Sequence, residues 1–90
     1  MACKRRFEIL NEKGLHARAS AKFVETVERF DAAASVARDG LTVTGDSIMG
    51  LLMLAAAQGC AIEVETTGAD AEALMTALET LVADRFGEGR

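Results

Sequence analysis

The chain of 90 residues has no Trp, no Tyr and no Pro, only four Phe, two Cys and a single His. Each shortage closes a route. With so little aromatic mass, a core must be made from Leu, Ile, Val, Met and Ala. Cys3 and Cys60 lie far apart and outside any CxxC spacing, so they make no disulfide framework. With one imidazole beside them they do not furnish a zinc ligand set either; no metal and no cofactor is expected. The longest apolar run, Leu51 to Ala57, is too short to cross a bilayer. No apolar signal segment follows Lys4-Arg5-Arg6. The expectation is a cytoplasmic, reduced protein that leaves membranes alone. A clustered basic face is missing too. Formal net charge is −4, which argues against a nucleic-acid partner.

What is present is enough hydrophobic material, half of all residues, for one packed domain over 1–90. Lys4 to Leu10 alternates as a strand, with Arg5, Phe7 and Ile9 on one side and Arg6 and Glu8 on the other. Asn11 to Gly14 is a polar turn. Ala17 to Glu28 has helical spacing, with a stripe of Ala17, Ala21, Val24 and Val27 widened by Phe23 and Phe30. Arg18, Lys22, Glu25 and Arg29 fall on or near the opposite side.

Asp39-Gly40 between 34–38 and 41–44 is a two-residue hairpin signal, because a type I′ turn needs positive φ at both central residues. Val36 and Val43 are its inward residues. Asp46 or Ser47 caps a short helix starting at Ile48. That helix is apolar almost all round, so part of Ile48, Met49, Leu52 and Met53 is expected to stay exposed as a partner patch; the plain alternative is a helix that is simply core. Cys60 to Thr66 alternates again, with Glu63 and Glu65 outward. Asp70 caps a last helix, Ala71 to Phe86, whose stripe is Leu74, Leu78, Leu81, Val82 and Phe86. A short polar tail follows. The order β-α-β-β-α-β-α predicts an α+β, two-layer sandwich: a mainly antiparallel four-stranded sheet with all three helices on one face.

His16 stands where the first strand-and-turn pattern gives way to a helix. A helix N-terminus offers unsatisfied N–H groups and roughly half a positive charge. The pole opposes a second positive charge on the ring and favours a neutral nucleophile. It is also an anion site, where the N–H groups of Ala17, Arg18 and Ala19 and the guanidinium of Arg18 can meet a phosphoryl group. The plain alternatives are a capping or surface histidine and an ordinary surface arginine. Ser20 as a nucleophile paired with His16 is weighed and set aside, since no third group that would orient the base is identifiable.

These residues carry a resemblance. Gly14-Leu15-His16-Ala17-Arg18 resembles the active-site motif of HPr, the histidine-containing phosphocarrier family of the bacterial phosphoenolpyruvate-dependent phosphotransferase system. Thr44-Gly45-Asp46-Ser47-Ile48-Met49-Gly50-Leu51 resembles the family's second motif. The resemblance runs from about Lys4 to Phe86 and implies the HPr-like open-faced sandwich. It implies that His16 takes a phosphoryl group on Nδ1 from phosphorylated enzyme I and passes it to an enzyme IIA component, with Arg18 stabilising the phosphohistidine. That would make the chain a covalent intermediate, in sugar transport or a nitrogen-related regulatory branch, rather than an enzyme with its own turnover. It further implies that Ser47 is phosphorylated by an HPr kinase/phosphorylase and that Ile48, Met49, Leu52 and Met53 dock partners. Ala19 departs from the family's usual Pro, so the first turn keeps an N–H that Pro would remove. The alternative reading is a binding module regulated through Ser47 with His16 idle. Nothing in the sequence requires more than a monomer.

Overall fold

In a computed structural model of the protein, which describes residues 2–90, the expected order of elements holds. Strand β1 covers Ala2–Glu8, helix α1 Ala17–Glu28, strands β2 and β3 Ala33–Arg38 and Leu41–Thr44, helix α2 Ile48–Met53, strand β4 Ala61–Thr67 and helix α3 Ala71–Ala83. A single 3-10 turn, Arg85–Gly87, closes the chain's ordered elements. The sheet order is β1-β4-β2-β3, antiparallel throughout.

Alternation in the strands puts Phe7, Val36, Ile62 and Val64 into the core, while Glu63 and Glu65 face solvent. The hairpin turns as expected, with φ of 49° at Asp39 and 84° at Gly40, and Val36 opposes Val43. Arg38 then reaches across to the end of α2. Its guanidinium donates to the carbonyls of Leu54 (2.8 Å) and Ala55 (3.3 Å), satisfying acceptors that the helix terminus leaves open.

Four expectations need correction. Strand β1 begins two residues earlier than predicted; the same side-chain alternation continues outward through Cys3. The buried side of α1 is Ala19, Ser20, Phe23, Val24, Thr26 and Val27, whereas Ala17 is exposed and Ala21 only half-buried. Polar Ser20 and Thr26 can face inward because their hydroxyls donate to the backbone carbonyls of Leu15 and Lys22; a periodicity read from apolar residues alone rotates the face by about one position. Asp70 occupies the N-cap of α3 but does not cap it. Its carboxylate instead accepts from the Asp31 backbone N–H at 2.9 Å, tying down the loop after α1.

The fourth correction matters for function. Helix α3 stops at Ala83, not Phe86. Arg85 and Phe86 take φ of 53° and 55°, a left-handed region that costs non-glycine residues free energy. The anchor is the Phe86 ring, which is wholly buried. Gly87 follows with φ 76°, where glycine carries no such penalty. The break turns the tail back over α1 instead of letting it run on along α3.

Candidate functional site

The loop before α1 is built around a close approach. Gly14 has φ +67°, and a Cβ there would come within 2.5 Å of the Ala56 carbonyl oxygen. Only glycine fits both conditions. The adjacent Leu15 N–H donates to that carbonyl at 2.9 Å, and the Leu15 side chain is buried. This staple joins the loop to the segment just after α2 and sets His16 at the mouth of α1.

His16 is the N-cap residue. Its backbone is extended (φ −75°, ψ −179°), and its Nδ1 accepts from the Arg18 backbone N–H at 3.2 Å. On the far side of the ring, Nε2 is hydrogen-bonded to Oε2 of Glu88, 72 residues away. The other carboxylate oxygen, Oε1, accepts from Nδ2 of Asn11 at 3.0 Å. That same Nδ2 donates to the Gly14 carbonyl at 2.7 Å. Burial works against the Glu88 carboxylate. The hydrogen bonds from Asn11 and His16, and the charges of His16 and Lys13, outweigh it and hold the Glu88 pKa below the usual carboxylate value.

The tail that delivers Glu88 is fastened twice more. Lys22 Nζ donates to the Phe86 carbonyl at 2.6 Å, and the Glu12 N–H donates to the Arg90 carbonyl at 3.0 Å. Loop, helix start and tail together enclose a cleft. Lys13, Arg18, Lys22 and Arg90 line it, against Glu12 and Glu88. In a chain of net charge −4, these four cations gather around the one imidazole. No ion pair among the described residues uses the Arg18 guanidinium.

The expected site residues His16, Ala17 and Arg18 therefore stand together, with Ala17 and Arg18 exposed at the first turn of α1. Ala19 belongs to the same turn, but its side chain is fully buried. Ser20 is buried too, and its hydroxyl donates to the Leu15 carbonyl at 3.2 Å; it does not face His16 as a nucleophile. Sequence reasoning missed Glu88, Asn11, Lys13, Lys22 and Arg90. The polar tail gave no sign of turning back; the only available signal was the pair of glycines, Gly87 and Gly89, around Glu88.

Ser47 and the apolar patch occupy a second surface. Ser47 is the N-cap of α2, its Oγ accepting from the Gly50 N–H at 3.0 Å. Met49 and Met53 are 71% and 66% exposed, flanked by Ile48 and Leu52, while Leu51 and Leu54 anchor the helix in the core. Among the described residues no helix is long and apolar enough to cross a membrane.

Known proteins share this sequence pattern and this fold. The family described as "PTS HPr component phosphorylation site" matches residues 3–84. The chain is 51% identical over 86 residues to the phosphocarrier protein HPr of Neisseria meningitidis serogroup A, covering 96% of this chain and 97% of that one. It is 47% identical over 81 residues to phosphocarrier protein HPr of Cupriavidus necator, covering 90% and 91%. The crystal structure of HPr-C-His from Thermoanaerobacter tengcongensis superposes with a TM-score of 0.91 at 37% identity, covering 96% and 97%. On sequence and fold, the chain belongs to the PTS-HPr family of phosphocarriers.

Proposed function

We propose that the chain carries a phosphoryl group on Nδ1 of His16, taking it from phosphorylated enzyme I and giving it to an enzyme IIA component. The observation that supports this best is the state of the ring. Nε2 faces a carboxylate, which can only accept, while Nδ1 accepts from a backbone N–H. The lone pair of the neutral ring is therefore on Nδ1, at a helix N-terminus and in a cleft edged with four cations. Attack by that lone pair forms the new N–P bond. The donor's bond to phosphorus breaks, and its electron pair returns to the donor. The Arg18 N–H and guanidinium and the N–H groups of Ala17 and Ala19 receive the phosphoryl oxygens. These contacts are exposed and individually modest, as a carrier that must release its cargo needs.

The patch of Ile48, Met49, Leu52 and Met53 serves as the docking surface for both partners. The staple between Leu15 and Ala56 holds it in fixed relation to His16. Ser47 is a modification site for an ATP-dependent kinase in this reading. A phosphate there would add about two negative charges beside Asp46 and weaken docking by acidic partners.

The test is chemical. The protein is incubated with phosphoenolpyruvate and enzyme I, then treated with acid or base. Phosphohistidine is lost in acid and survives base. A label that persists in His16→Ala, or none in the wild-type chain, would overturn the carrier reading.

A further inference from the structure

We propose that Glu88, oriented by Asn11, is a positioning residue that locks His16 in the Nε2–H tautomer, so that Nδ1 is kept ready for transfer. The inference rests on the carrier reading above and concerns how the same nitrogen is presented.

The network has two ends that cannot change sign. At one end the Gly14 carbonyl can only accept; at the other the Arg18 backbone N–H can only donate. Asn11 bridges the first end to Glu88 with one nitrogen, 2.7 Å from the Gly14 oxygen and 3.0 Å from Glu88 Oε1. Reversing the amide would bring Oδ1 against two acceptors, so its orientation is fixed by the backbone. Asn11 is wholly buried, and its Oδ1 has no partner among the described residues. A buried amide with one end unmet is a cost to stability. The position retains it for the two donor hydrogens on Nδ2.

Glu88 is then an acceptor at both oxygens, and the ring must donate from Nε2. From the other side, the Arg18 N–H requires Nδ1 to accept. Both ends of the network demand one tautomer. A free neutral imidazole divides its proton between the two nitrogens; here every fixed group votes for Nε2.

The same arrangement serves the phosphorylated state. When the Nδ1 lone pair forms its bond to phosphorus, the ring keeps the Nε2 proton and becomes cationic. The Glu88 carboxylate already faces that charge. No proton has to enter or leave Nε2 during a cycle of loading and unloading. The Arg18 N–H moves its hydrogen bond from Nδ1 to a phosphoryl oxygen. The retained Nε2 proton also leaves neutral imidazole as the departing group when the phosphoryl is handed on.

The test reads the tautomer directly, by imidazole 15N NMR of the intact protein at a pH where the ring is neutral, and compares Glu88→Gln and Asn11→Ala with wild type. Gln offers one acceptor to two donors, so its amide NH2 faces Nε2 and draws the ring proton to Nδ1. The wild-type ring is expected as Nε2–H, and the Nδ1–H share is expected to rise in both variants. Transfer from phosphorylated enzyme I is expected to fall about ten- to hundredfold in Glu88→Gln, the loss of a charge-assisted hydrogen bond. Amide spectra report whether each fold is kept; Glu88 lies in the tail, so its variant decides the matter if Asn11→Ala unfolds. A wild-type ring that is mainly Nδ1–H, or a Glu88→Gln protein with wild-type tautomer ratio and rate, would overturn the proposal. Absence of any label on His16 would instead sink the carrier reading, while the tautomer ratio still decides this one.

Discussion

Lys22 and Phe86 are joined by a bond of 2.6 Å from the ammonium group to the backbone carbonyl, and this bond ties the tail to the helix that begins at His16. The hydrophobic anchor and the polar fastener belong to the same residue: the Phe86 ring is buried while its carbonyl is held from α1. Lys22→Met removes the donor but keeps the stem that packs along the cleft. The expected loss is about 1 kcal/mol of overall stability, since Lys22 is only half-buried and water compensates in part. Hydrogen exchange at residues 86–90 should speed up by more than exchange in the sheet; equal acceleration in both would count against a local role for the bond.

Gly14→Ala is expected to be costly for two reasons that add. The residue has φ +67°, and the new Cβ would meet the backbone oxygen of Ala56 at 2.5 Å. Backbone strain of this kind costs about 1–3 kcal/mol, and the clash with a backbone atom cannot be relieved by a rotamer change. Urea denaturation should show a loss of at least about 2 kcal/mol. The Leu15 to Ala56 bond should lengthen or break, moving His16 relative to α2. A variant with wild-type stability and wild-type transfer rate would contradict this account of the loop.

Acid should release the tail before it unfolds the sheet. The folded-state pKa of Glu88 is lowered from an ordinary value of 4.5. A depressed carboxylate contributes stability in full above its unfolded pKa, and that contribution is lost as pH falls through the folded value. The stability difference between wild type and Glu88→Gln should therefore be constant above the usual carboxylate range and shrink below it. A difference that grows in acid would give the wrong sign. Fluorescence is no help in a chain without Trp or Tyr; circular dichroism during denaturation at a series of pH values supplies the measurement.

Met49→Glu tests the docking surface apart from the site. At 71% exposure the side chain contributes little to folding, and stability should stay within about 0.5 kcal/mol of wild type. The KM for loading by phosphorylated enzyme I is expected to rise about tenfold or more, as for an apolar anchor replaced by a charge, with the His16 ring signals unmoved. A normal KM would remove Met49 from the interface.

Much of the fold was legible because its signals are local. Asp39-Gly40 dictated a turn with two positive φ values. The alternation through Ile62 and Val64 marked a half-buried strand, and Ser47 stood where a short helix needed a cap. His16 and Arg18 were legible for the same reason, lying two residues apart at one helix start. What stayed hidden depended on distance along the chain. Glu88 reaches His16 only because Arg85 and Phe86 accept a left-handed backbone in exchange for burying one ring, and no pattern in the tail announces that trade. Ser20 and Thr26 hid the inner face of α1, because a hydroxyl satisfied by a nearby backbone carbonyl, Leu15 for one and Lys22 for the other, behaves as an apolar group. Asp70 looked like a cap and serves a loop instead, a choice made by the proximity of Asp31.

The left-handed break after Ala83 also sets an order of events in synthesis. Strand β4 lies second in the sheet, between β1 and β2, so the sheet cannot close until residues 61–67 have left the ribosome. His16, made early, has its helix cap by then but no carboxylate behind its ring. That partner arrives only with residue 88, after all four strands and α3 have been made. A nascent chain can thus form its sheet while its histidine is still unconfigured, and the ring gains its carboxylate only after the scaffold that holds it has been made.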